Sequence, residues 1–263
     1  MGGLSAGEAI DRSIEAVLRR DRLVALASIV VVATLAWLYL WLMAAAMDSA
    51  SDAGAALSGG FDPIALTFTF LMWVVMMAAM MLPSASPSIL LYGTLVRRHG
   101  ARGSVLPGVW IFAAGYLLVW IAFSAAATLL QAGLEHMAML TPQMTSASTM
   151  LSALALIAAG VYQLTPLKDA CLGKCTNPLQ FFLTRWRGGA GGAMRMGIAH
   201  GAYCVGCCWA LMLLLFVAGV MNLLWVAAIS VFGLAEKVRP SRWLSGVSAA
   251  GLIAAGVYSL TLN

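Results

Sequence analysis

Seven apolar runs, at residues 24–46, 65–94, 106–133, 147–166, 199–219, 222–236 and 243–261, follow one another along this chain of 263 residues. A helix needs about 20 mainly apolar residues to cross the hydrocarbon core of a bilayer, so the runs read as transmembrane helices, the second over-long and the sixth short. The polar stretches between them are too few to cover a surface facing water. Only 10% of the residues are charged and 62% are hydrophobic, where a soluble domain carries about a quarter charged. Lipid is the solvent this chain implies, and a soluble globular enzyme is nearly ruled out.

Residues 5–22 differ in kind. Ser5 and Glu8 make a capping box, and Ile10, Ile14, Val17 and Leu18 share one helical face, the pattern of an amphipathic helix lying on a membrane surface over residues 1–23. Acidic residues interrupt this stretch, so it does not read as a cleavable signal peptide. All fifteen Lys and Arg residues fall on one side of a seven-span arrangement. The positive-inside rule makes that side cytoplasmic, with the N-terminus inside and the C-terminus outside a bacterial inner membrane. Asp48, Asp52, Asp62, Glu135 and His136 fall on the other side. The net charge of +5 is thus a topological signal; no basic stripe alternates with aromatics as in a nucleic-acid surface.

Ile157 to Thr165 reads IAAGVYQLT and Ile253 to Thr261 reads IAAGVYSLT, with one difference. If residues 65–166 and 199–263 are copies, each holds three spans, and an odd number forces the copies to be inverted. The predicted fold is therefore an all-α integral membrane protein of seven transmembrane helices: a first span at 24–46, then a 3+3 inverted repeat joined by a cytoplasmic Cys/Gly loop at 167–198.

Three clusters carry chemistry. His200, Cys204, Cys207 and Cys208 lie along one stripe of a helix, and imidazole with thiolates suits Cu(I), Zn(II) and other soft or borderline ions. Met72, Met76, Met77, Met80 and Met81 stripe the second run. Pro83 and Pro87 interrupt that run, as broken helices do where they line a cavity. Thioethers select Cu(I) and release it readily. Cys171 and Cys175, with Lys168 and Lys174 beside them, are candidates for an exchange point in the cytoplasmic loop. Glu135, His136 and Glu236 end spans and are candidates for an outer or gating role, with Met43, Met47, Met137, Met139 and Met144 near the outer ones. No nucleophile–base–acid set appears, which disfavours an enzyme.

The segments MMAAMMLPS at 76–84, CLGKCTNP at 171–178 and CVGCCWALM at 204–212, with Glu236 and Lys237 downstream, resemble a bacterial family of predicted metal-binding integral membrane proteins, a domain of unknown function. The resemblance implies a helical membrane protein with a bound metal. Together the residues predict a soft-metal transporter, for Cu(I) in preference to Zn(II) or Hg(II), in which methionines and the His/Cys stripe face each other near the membrane midplane and a soluble carrier supplies metal. A thiol–disulfide electron conduit through Cys204 and Cys207, and a metal sensor or assembly factor that binds without transport, remain open.

Overall fold

The computed structural model describes residues 6–49, 62–99, 104–140 and 148–261; in the first helix its side chains are described from Arg19 to Ala46. Among the described residues the chain is helical with no β-strand: α1 Ala6–Ser49, α2 Pro63–Arg98, α3 Leu106–His136, α4 Thr149–Gln163, α5 Pro166–Thr176, α6 Pro178–Arg185, α7 Gly189–Leu213, α8 Leu215–Ala218, α9 Leu223–Val238 and α10 Arg242–Thr261. Their starts follow from local chemistry. Side chains of Asp62, Ser148, Thr165 and Asn222 accept from the backbone amides of Ala65, Leu151, Lys168 and Trp225, and Pro63 and Pro166 open their helices, which ties up amides that would otherwise have no partner.

Five stretches are long and apolar enough to cross a membrane: Arg19–Ala46, Pro63–Arg98, Leu106–His136, Gly189–Ala218 and Arg242–Thr261. A sixth is counted if α4 and α5, bent by 63° at the break between them, form one span. The remaining expected span, the sixth at 222–236, corresponds to α9, whose 16 residues extend only about 24 Å, short of a hydrocarbon core about 30 Å thick. Exposed Val30, Val31, Leu35 and Leu42 on α1, and Val247 and Val257 on α10, give the bundle the apolar outside that lipid requires.

Several sequence expectations change. Residues 6–22 continue the first span in one unbroken helix, where a separate surface helix was expected; Ser5 and the side chains of Ile10, Ile14, Val17 and Leu18 lie outside the described residues. The prolines do not interrupt α2. Pro87 has no N–H for the carbonyl of Pro83, and the Ser86 hydroxyl donates to that oxygen at 2.8 Å instead. The stretch 167–198, expected as a loop, is largely helical, forming most of α5, all of α6 and the start of α7.

Packing relies on glycines where backbones cross. A Cβ on Gly197 of α7 would lie 2.1 Å from the Phe112 carbonyl oxygen of α3, and one on Gly115 would lie 2.5 Å from the Met194 carbonyl oxygen, the small-residue contact typical of membrane helices. The two copies of the repeated nonapeptide pack against each other. A Cβ on Gly160 would meet Ile253 Cγ1 at 2.7 Å and the Ala249 carbonyl at 2.9 Å; one on Gly256 would meet Ile157 Cγ1 at 2.6 Å and the Ala153 carbonyl at 2.8 Å. Residue numbers ascending on α4 thus match numbers descending on α10, so the two helices form an antiparallel pair with local two-fold symmetry.

Gly197→Ala is expected to cost on the order of 2–4 kcal/mol, in the upper part of the range for single substitutions, and to lower the thermal unfolding midpoint of detergent-solubilised protein by several degrees. Gly246→Ala, which meets nothing within 4 Å, should leave that midpoint unchanged.

Candidate functional site

The α3–α7 crossing sets the site. With Gly197 and Gly201 against the backbone of α3, the next turn of α7 brings Cys204 to Tyr116, whose hydroxyl lies 3.1 Å from Cys204 Sγ and donates to the Met81 carbonyl at 3.0 Å. From α9, Lys237 Nζ donates to Cys204 Sγ at 3.1 Å and Ser84 Oγ at 2.8 Å, and stands 3.6 Å from Met81 Sδ. One more turn along α7, Cys207 Sγ lies 3.3 Å from Cys208 Sγ and 4.0 Å from Cys175 Sγ of α5, and its thiol donates to the Cys204 carbonyl at 3.2 Å. Cys175, Cys204, Cys207 and Cys208 are buried and Cys171 is half-buried.

Gly206 is what admits α5. A Cβ there would come within 2.7 Å of Cys171 Sγ, so the glycine between Cys204 and Cys207 allows the two cysteine-bearing helices to close on each other. The Tyr162 hydroxyl donates to the Gly206 carbonyl and its ring meets Trp209 edge-on at 5.0 Å, holding the end of α4 to the same turn. Cys175 therefore sits inside the sulfur cluster, in place of the solvent-facing loop expected from its sequence.

A second polar knot lies beside the first. Lys168 of α5 is fully buried; its Nζ donates to Gln163 Oε1 and, at 2.5 Å, to Glu236 Oε1. Ser245 Oγ donates to the same carboxylate oxygen at 3.1 Å, and Gln163 Nε2 donates to Ser248 Oγ at 3.2 Å. Glu236 thus fixes α5 and its cysteines to α9 and α10, and Lys168 and Lys237 are not the surface-lying basic residues that positive-inside counting made of them.

Most of the other expected site residues sit apart, Met81 at the edge of the cluster excepted. Met72, Met76, Met77, Met80 and Met81 are all buried, but Met72 is nine residues from Met81, about 13 Å along α2, so the two cannot share one ion while α2 stays whole. His200 is buried, its ring 5.6 Å from Phe181, 5.9 Å from Tyr116 and 6.0 Å from Phe112, with Nδ1 lacking a hydrogen-bond partner. Glu135, accepting from Gln131 at 2.9 Å, and exposed His136 end α3 about 28 Å along the helix from Tyr116. Met144 and the side chain of Met47 lie outside the described residues. Among the described residues no three His, Cys, Asp or Glu side chains are placed to hold one metal ion.

A profile described as PpoB2, copper chaperone, matches residues 70–259, from within α2 to within α10. The chain belongs to this copper-chaperone family. The matched region contains all five cysteines and Met72 to Met81, and the family suggests a copper-related function. No curated protein and no solved structure matches the chain. Lys237, Tyr116 and Ser84 are the residues that sequence reasoning missed; a lysine beside a glutamate in an otherwise apolar run was the available signal.

Two measurements check the arrangement. In the folded protein a maleimide should modify Cys171 at least about tenfold faster than the four buried thiols, with all five reacting in denaturant, as counted by intact mass. Glu236→Ala should cost about 3–5 kcal/mol by stranding the Lys168 ammonium, whereas Lys168→Met with Glu236→Met should restore most of that stability.

Proposed function

We propose that this protein is an integral membrane copper-handling protein that takes Cu(I) as cargo at the cluster of Cys175, Cys204, Cys207 and Cys208 and passes it across or along the membrane. The observation that carries this reading is the gathering of four thiols from α5 and α7, with the Met81 thioether at the edge, in a chain of a copper-chaperone family. Thiolates and thioethers are the donors that prefer Cu(I). Binding begins with rotation of the Cys207 and Cys208 side chains, which now spend their thiols on each other and on the Cys204 carbonyl. Cys171, half-buried beside Gly206, is the exchange point nearest the outside of the cluster, and a soluble carrier is the donor or acceptor there.

Lys237 places a positive charge 3.1 Å from Cys204 Sγ. A Cu(I) ion held by two thiolates carries one net negative charge, and one ammonium balances it, which suits an environment where uncompensated charge is costly. Seven spans with the N-terminus inside, and an inverted relation between the two halves, belong to the same reading. The antiparallel pairing of the repeated nonapeptides supports the inversion for α4 and α10. His200, Met72, Met76, Met77 and Met80 would then serve as further soft donors along the route, with Glu135 and His136 at its outer end and Glu236 as a gating group beside the cluster.

A second reading, a thiol–disulfide conduit, draws on the 4.0 Å between Cys175 and Cys207 sulfurs. Elemental analysis of anaerobically purified protein separates the two. Copper is expected at stoichiometric level in the wild type, in preference to zinc or mercury, and lost from the Cys204→Ser/Cys207→Ser/Cys208→Ser variant. Equal, near-zero metal in both, together with a Cys175–Cys207 disulfide that forms and reduces reversibly, would establish the conduit instead. Copper-loaded proteoliposomes then distinguish transport from a sensing or assembly role by the presence or absence of flux.

A further inference from the structure

At the start of α7 lies a cavity of about 690 Å³ whose lining includes Phe181, Arg185, Trp186, Arg187, Arg195 and Met196. The three arginines are exposed, and among the described residues no carboxylate pairs with any of them. The Arg185 guanidinium lies over the Tyr203 ring, 5.7 Å from its centre, and Trp186, which also lines the cavity, is stacked on His99 at 4.1 Å. Three unneutralised guanidiniums about one concavity form a site for an anion, because Arg forks match carboxylate and phosphate geometry.

From this cavity α7 runs on toward the cysteines. Met196 lines the cavity and is itself buried. Met196, His200, Cys204 and Cys207 follow at i, i+4, i+8 and i+11 on one side of α7, with about 6 Å of rise between the first three. His200 presents a buried Nδ1 without a partner, and Phe181, which lines the cavity, stands 5.6 Å from the His200 ring. A thioether, an imidazole and then thiols give a soft ion donors of rising strength from the mouth inward.

We propose that the cavity receives Cu(I) as an anionic thiolate complex of a small, carboxylate-bearing thiol, and that Met196 and His200 pass the ion to Cys204. This rests on the copper reading above and adds the form in which the metal arrives. Two thiolates on Cu(I) leave a net negative charge even before any carboxylate is counted, so the arginines attract the complex and repel the bare cation. The transfer is ligand exchange without redox change: each carrier Cu–S bond breaks as a bond to a protein donor forms and copper stays Cu(I); a carrier thiolate displaced by Met196 or His200 leaves as the anion and takes its proton from solvent, and a protein thiol that then binds copper gives its proton up to solvent.

The test follows copper loading of the full-length, detergent-solubilised protein, anaerobically, from two sources: the anionic Cu(I)–glutathione complex and the cationic Cu(I)–acetonitrile complex. In the Arg185→Gln/Arg187→Gln/Arg195→Gln variant, loading from the glutathione complex should slow by about tenfold or more and lose most of its dependence on ionic strength, while loading from the acetonitrile complex and final copper content stay at wild-type values. Met196→Leu should slow loading from the glutathione complex while leaving its salt dependence in place. Unchanged glutathione loading in the arginine variant, or equal slowing from both sources, overturns the cavity's role. Suppression of wild-type glutathione loading by added anionic phospholipid would mark the cavity as a lipid-phosphate seat and also overturn it. A wild-type chain that takes copper from neither source defeats the copper reading itself, so the two failures are distinct.

Discussion

The last turn of α9 places a carboxylate and an ammonium on consecutive residues, Glu236 and Lys237, and turns each toward a different helix. Neighbours on a helix point about 100° apart, so this short stretch can reach two partners at once. Glu236 takes the buried ammonium of Lys168, with Ser245 helping to satisfy its oxygen. Lys237 takes the Cys204 sulfur and the Ser84 hydroxyl. In a bundle whose outside is apolar, neither charge can stand alone without a large desolvation cost. Each therefore specifies where its partner helix must lie. Through Lys168 the pair fixes α5, and with it Cys171 and Cys175; through Lys237 it fixes the depth of α9 against α2 and α7.

The glycines do complementary work. Ionic contacts choose the partners, and Gly115, Gly197 and Gly201 set how closely α3 and α7 approach. Without that close crossing, Tyr116 could not bridge Cys204 and the Met81 carbonyl, and the cysteine face of α7 would stand off from α2. The prolines of α2 act at the same level. Pro87 frees a carbonyl that Ser86 then satisfies, and the nearby Ser84 both donates to the Met81 carbonyl and accepts from Lys237. Serines that look incidental in an apolar run are thus what lets the helix stay whole beside the site.

Much of this could be read from the residues alone, and the limits have physical causes. Long apolar runs predict lipid-facing helices because length and hydropathy are local properties. The Cys204, Cys207 and Cys208 stripe was visible because helical spacing is local too. Cys175 was misplaced because a polar stretch with two lysines reads as exposed loop unless a buried carboxylate elsewhere in the chain neutralises one of them, and Glu236 stands 68 residues away. Lys237 was counted among the cytoplasmic basic residues for the same reason: only the tertiary fold reveals that its ammonium faces sulfur. Met72 could be seen to share a stripe with the other methionines, but a continuous helix separates residues along its axis as well as grouping them around it.

A copper handler must hold its cargo tightly enough to capture it and loosely enough to surrender it. A preformed ring of three thiolates meets the first demand at the expense of the second. Here the sulfurs are close but committed to other partners, Cys207 to a carbonyl and to Cys208, and Cys204 to Lys237 and Tyr116. On the copper reading, an arriving ion exchanges these hydrogen bonds for metal–sulfur bonds, and a departing one restores them, so the protein's own contacts compete with the metal and set its affinity below that of an open thiolate site.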